Sequence, residues 1–98
     1  MTNKEFMKEL AAAFEKHDII NKTKNHTINE LLYILRMEFE DDFCIGIKRK
    51  DRSWASIPSS KECFVPIDIL SVRIDGVEYE EDIYEDKIYK CLTIKEQI

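Results

Sequence analysis

The residues best suited to chemistry in this chain are carboxylates. Asp75, Glu78, Glu80, Glu81, Asp82, Glu85 and Asp86 put seven acids into twelve residues with no base among them. Acid–base catalysis by paired carboxylates needs environments that separate their pKa values, and a charged, exposed run offers none. A calcium loop needs Asp-x-Asp/Asn-x-Asp/Asn-Gly with Glu at the twelfth position, a pattern from which Asp75-Gly76-Val77-Glu78 departs. What the run can do is present negative charge. On an extended strand alternate carboxylates stand about 6.8 Å apart, a spacing of the same order as that of successive phosphates on a nucleic-acid backbone. Tyr79 and Tyr84 add rigid amphipathic contact area of the kind interfaces favour. Glu78, Tyr79, Glu80, Glu81, Asp82, Tyr84, Glu85 and Asp86 therefore form a candidate surface for a basic, nucleic-acid-binding protein. The alternative is a solvated run whose charge keeps a sheet edge from pairing.

A second constellation has the opposite sign. Lys48, Arg49, Lys50 and Arg52, followed by Trp54, make a basic turn with an aromatic beside it, which suits phosphate contact and base stacking. An RNA-binding sheet would add two or three exposed aromatics on one face, and only Trp54 is near in sequence. Solubility is the competing role for these bases. His17 and His26 stand beside no Cys or Ser in a catalytic pattern, and two glycines are too few for a phosphate cradle. The expectation is a non-catalytic protein with no cofactor and no metal. Cys44, Cys63 and Cys91 are three and widely spaced, without C-x-x-C, which fits reduced thiols.

Ninety-eight residues with a net charge of −5 and 44% hydrophobic residues fit one packed domain spanning 1–98, and disfavour a general coat for nucleic acid or anionic membrane. Charge is segregated along the chain: residues 38–47 hold four acids and no base, 48–61 five bases and one acid, and 62–86 nine acids and one base. No apolar run approaches the roughly 18 residues of a membrane span, so a cytoplasmic protein is expected. The sequons at Asn21 and Asn25 then have no compartment in which to matter, and Thr27 is better used as a helix cap.

These groups must be positioned by helices and strands. Phe6, Leu10 and Phe14 recur every four residues with Met7 and Ala11 beside them, predicting a helix from Lys4 to His17, opened by Thr2 and Glu5. A loop follows from Asp18 to His26, with Ile19 and Ile20 turned inward. Thr27 with Glu30 opens a second helix to about Glu40, whose core stripe is Ile28, Leu31, Leu32, Leu35 and Phe39. Tyr33, Ile34 and Met37 form a second apolar side. Either this helix is sandwiched between the first helix and a sheet, or those three residues offer a patch for homo-oligomerisation.

After Asp42 the period changes to two. Phe43, Ile45 and Ile47 alternate with polar or small residues as a half-buried strand requires, and Ser53 to Ile57 can return as its partner. Cys63–Ile67 and Asp68–Ile74 read as apolar strand segments broken by Pro66. Asp75-Gly76 is a favoured type I′ pair, predicting a tight hairpin with Ile74 opposite Val77, Val72 opposite Tyr79 and Arg73 opposite Glu78. A β-branched residue at Gly76 should then be costly. Ile88 to Ile94 makes a last strand. The expected fold class is α+β, two N-terminal helices packed on an antiparallel sheet of about five strands.

In its composition and in Glu78-Tyr79-Glu80-Glu81-Asp82 and Tyr84-Glu85-Asp86, the chain resembles small acidic phage-encoded inhibitors of the anti-CRISPR kind. Those inhibitors share no common fold, so the resemblance is one of class. It implies a non-catalytic inhibitor in a bacterial host cytoplasm that occupies the nucleic-acid-binding surface of a CRISPR effector.

Overall fold

A computed structural model of the chain describes residues 1–17, 26–60 and 63–97. The loop expected from Asp18, with Ile19 and Ile20, and the asparagines Asn21 and Asn25 lie outside the described residues. In chain order the elements are α1 (Asn3–Lys16), α2 (Ile28–Glu38), β1 (Phe43–Lys48), β2 (Trp54–Pro58), the short α3 (Ile67–Leu70), β3 (Ile74–Tyr84) and β4 (Lys87–Glu96). The fold is α+β, with a mixed sheet of four strands in the order β2-β1-β4-β3.

Both long helices begin where the side chains can satisfy their free backbone N–H groups. The Thr2 hydroxyl accepts from the Glu5 N–H, and at α2 the box is reciprocal: Thr27 accepts from the Glu30 N–H while the Glu30 carboxylate accepts from the Thr27 N–H. On α1 the spacing of Phe6, Leu10, Ala13 and Phe14 buries one stripe. On α2, Ile28, Leu31, Leu32 and Leu35 are buried as their period requires, and so is Ile34. Ile34 thus joins the buried stripe of α2, and only that part of its second apolar side is covered. Ile34 is fully buried, while Tyr33 and Met37 are exposed at 49% and 54%, so the three do not form a common outward patch.

Alternation then decides the faces of the sheet. Phe43, Ile45, Ile47, Ile57, Val77, Tyr79, Leu92 and Ile94 are buried beneath the helices, each such side chain contributing roughly 1.5–3 kcal/mol. Phe6 stacks on Tyr79 at 4.4 Å between centroids and lies 5.5 Å from Phe43, and Phe39 meets Phe43 edge-on at 5.7 Å. This aromatic cluster ties α1, the end of α2, β1 and β3 together. No described helix covers the other face, where Cys44, Lys48, Trp54, Glu78, Glu80, Thr93 and Lys95 are found. The entry to β3 is held to the start of α2 by hydrogen bonds from Ile28 N–H to Val72 C=O and from Ile74 N–H to His26 C=O, at 2.9 and 2.8 Å. At the outer edge of β3, the Asn3 side chain accepts from the Tyr79 N–H at 2.8 Å.

Three expectations are corrected. The sheet has four strands and is mixed: β4 pairs antiparallel with β3 but parallel with β1, Cys44 opposite Cys91 and Ile45 opposite Leu92. The segment after Pro66 is not a strand. Proline's φ of −58° starts a helical turn, the Ser71 hydroxyl donates back to the Ile67 carbonyl at 2.7 Å, and Val65, Ile69 and Val72 go inward at near-helical spacing. Finally, Asp75-Gly76 is not a hairpin turn. The strand runs through it with a bulge, Ile74 facing Glu96 and Gly76 facing Lys95, and neither glycine has positive φ. The turn is at Glu85-Asp86, with φ of 50° and 62°. A turn at 75–76 would have only Val72 to Ile74 before it once α3 is formed. The turn at 85–86 pairs Val77, Tyr79 and Ile83 with Ile94, Leu92 and Ile88, and Glu81 with Lys90.

Candidate functional site

The pairing of β1 with β4 ends at Phe43 opposite Lys90. The β3–β4 ribbon continues past it through Asp82–Tyr89, Ile83–Ile88 and Tyr84–Lys87 to the turn. Three residues of each strand therefore overhang β1, a projection of about 10 Å. The overhang is apolar as well as charged: Ile83 is 74% exposed, Tyr84 65%, Ile88 62% and Tyr89 44%. Ile83 and Ile88 are directly paired, continuing the helix-facing side of the sheet beyond the last helix contact. Tyr84 and Tyr89 lie on the uncovered side with centroids 6.5 Å apart.

Along the uncovered face of β3, Glu78, Glu80 and Asp82 alternate opposite Thr93, Cys91 and Tyr89. None of the three faces a base, and all are exposed. Glu85 and Asp86 add two carboxylates at the tip. Tyr79 and Glu81 differ from the rest of the candidate set because their parity puts them on the helix side. Tyr79 is 5% exposed, so it is a core residue and not a contact aromatic. Its hydroxyl donates to the Glu81 carboxylate, which holds Glu81 below the usual carboxylate range while burial pushes the Tyr79 phenol up. The acidic surface is therefore Glu78, Glu80, Asp82, Glu85 and Asp86, with Tyr84 beside it. Tyr89 belongs to the same surface, while Ile83 and Ile88 are exposed on the opposite face of the same overhang, and only the 85–86 turn brings them there.

The basic constellation lies at the other end of the sheet, Lys95 being eight residues along β4 from Lys87, about 26 Å. Arg49 is turned inward, its guanidinium 3.6 Å from both Asp68 and Glu96, and the Lys50 N–H donates to Glu96 at 3.0 Å. Arg52 takes a φ of 68° in the turn. On the uncovered face Trp54 pairs with Lys48, and Lys48 with Lys95. Trp54 is 62% exposed and leans over Gly46, where a Cβ would meet its ring at 3.3 Å. The turn thus gives up Arg49 to internal pairing and gains Lys95.

His17 serves structure: its Nε2 lies 2.7 Å from the Glu38 carboxylate, which Lys16 also contacts at 3.1 Å. Those two hydrogen bonds hold Glu38 below the usual carboxylate range. His26 is buried, stacked on Phe14 at 4.5 Å and 3.3 Å from Glu30. A concavity of about 590 Å³ at the end of α2 is lined chiefly by polar and acidic groups including Glu38, Glu40, Asp41 and Asp42. Among the described residues no cluster of three or more His, Cys, Asp or Glu could hold a metal ion, and no helix is long and apolar enough to cross a membrane. No protein-family model, no curated protein and no solved structure matches this chain.

Proposed function

We propose that the protein is a non-catalytic binding protein that presents the β3–β4 overhang to a basic cleft on a nucleic-acid-recognising protein, competing there with phosphate. The observation that carries this reading is the overhang itself. Four large apolar side chains stand exposed on a ribbon that covers no core, among carboxylates with no opposing base. Such exposed apolar residues bury little beyond their own cross-strand contacts, and they are what the centre of an interface needs. The alternating acids supply charge complementarity and fast association. The narrower form, inhibition of a CRISPR effector, rests on the resemblance to anti-CRISPR inhibitors.

The test uses a variant with Glu78→Gln, Glu80→Gln, Asp82→Asn and Glu85→Gln as bait beside the parent protein in a bacterial lysate. Its thermal midpoint should not fall, because exposed like charges add little to stability. The parent should retain nucleic-acid-binding proteins, releasing them to added DNA and to salt as the screening length shrinks from about 10 Å to about 3 Å; the variant should not retain them. Equal capture by both would refute the reading. Reversal of Lys48, Lys50 and Arg52, with Arg49 kept in its pairs to Asp68 and Glu96, should leave capture unchanged. If the parent instead retains nucleic acid and this reversal abolishes it, the basic turn with Trp54 is the functional surface. If a purified CRISPR effector is the partner, the parent should block its target cleavage and the neutralised variant should not.

A further inference from the structure

Cys44 and Cys91 are 47 positions apart in sequence, yet they are direct register partners on the parallel strands β1 and β4. Both lie on the uncovered face, Cys44 exposed and Cys91 half-buried. Glu80 is the other register partner of Cys91, so the thiols border the acidic row. Adjacent strands stand about 4.8 Å apart, inside the 4.4–6.8 Å Cα window of a disulfide. Side chains directly opposed on parallel strands leave the pleat side by side, so the Cβ separation follows the strand spacing and exceeds the relaxed value of about 3.8 Å. A bridge here can close, but under strain, and strained exposed bridges are the readily reduced ones. Cys63 lies outside the sheet, half-buried against the core.

From this juxtaposition we propose that Cys44 and Cys91 form a reversible redox site, closing to a cross-strand disulfide with small-molecule disulfides such as oxidised glutathione. The Cys44 thiolate, the more accessible, attacks one sulfur of the glutathione disulfide and forms a mixed disulfide, releasing one glutathione thiolate. The Cys91 thiolate then attacks the Cys44 sulfur and releases the second. The protein loses two hydrogens as two electrons pass to glutathione, which leaves as two thiols. Burial, and secondarily the neighbouring Cys44 thiol, push the Cys91 thiol up, which disfavours it as the first attacker and leaves it the resolving thiol, whose closeness to Cys44 offsets its lower thiolate fraction.

The full chain, purified under reductant, would be equilibrated in buffers of graded reduced-to-oxidised glutathione ratio, acid-quenched, unfolded and alkylated. The thiol count should fall from three to one without dimer formation, and digestion should give one cross-linked peptide pair containing Cys44 and Cys91. Cys63→Ser should fall from two thiols to none. Cys44→Ser should keep both remaining thiols free of an intramolecular bridge. The midpoint should lie at a more oxidising ratio than that of structural disulfides, as strain requires. A bridge involving Cys63, a mixed disulfide on Cys44 that persists unresolved, or three free thiols at every ratio would overturn the assignment.

Discussion

Glu85 and Asp86 both occupy the left-handed region, where a side chain's Cβ crowds the following carbonyl and costs about 1 kcal/mol or more per residue. Asn-Gly is the pair that a two-residue type I′ turn favours, since glycine carries no such penalty and asparagine a reduced one. Replacing Glu85-Asp86 with Asn-Gly should therefore stabilise the protein by about 1–2 kcal/mol, with a small further gain from removing adjacent like charges. For a domain of this size, 1 kcal/mol corresponds to about 4–8 °C. The melting midpoint, followed by far-ultraviolet circular dichroism and calorimetry, should rise by about 4–16 °C. The companion substitution is Gly76→Val. Gly76 has no positive φ and no atom lies within 4 Å of a Cβ placed there, so this change should shift stability by less than about 0.5 kcal/mol. If Asn-Gly at 85–86 gives no gain while Gly76→Val costs more than about 1 kcal/mol, the turn is at 75–76, and the overhang with its exposed isoleucines does not exist.

Two further outcomes test the core and the helix pair. Leu92→Ala, on a central strand and 1% exposed, should cost about 2–5 kcal/mol in urea unfolding; a loss under 1 kcal/mol would put β4 outside the core. Glu38→Gln should lower the urea midpoint at neutral pH. Because Glu38 titrates below its ordinary value in the folded state, its contribution is present above the usual carboxylate range and is lost as pH falls through it. The gap between parent and variant should narrow as pH falls from the ordinary carboxylate value through the lowered folded one, and a constant gap would mean that its hydrogen bonds with His17 and Lys16 do not form.

Local signals were legible where the chain's chemistry is local. Thr27 and Glu30 mark a helix start because both groups must be near the same backbone donors, and Phe43, Ile45 and Ile47 reveal a buried face because strand period is fixed. Charge on Glu78, Glu80 and Asp82 was equally legible as an alternating row. The true hairpin was hidden because Glu-Asp is a poor type I′ pair, chosen over Asp75-Gly76 only through ten residues of cross-strand pairing that no short window contains. The same displacement reassigned Tyr79 from the surface to the core and brought in Ile83, Ile88 and Tyr89. Nothing near Cys44 announces Cys91, since parallel pairing is settled by tertiary packing and not by a turn.

The insertion of β4 between β1 and β3 also constrains how the protein is made. A ribosome delivers the three helices, the β1–β2 hairpin and β3 before β4, yet the two halves of the sheet have no common ladder until that strand arrives. Until then β1 presents an unpaired edge and Phe43, Ile45 and Ile47 lack their neighbours on one side. Joining β1 to β4 therefore relies on contacts of long sequence separation that form late, which slows folding and leaves the β1 edge exposed until β4 is made.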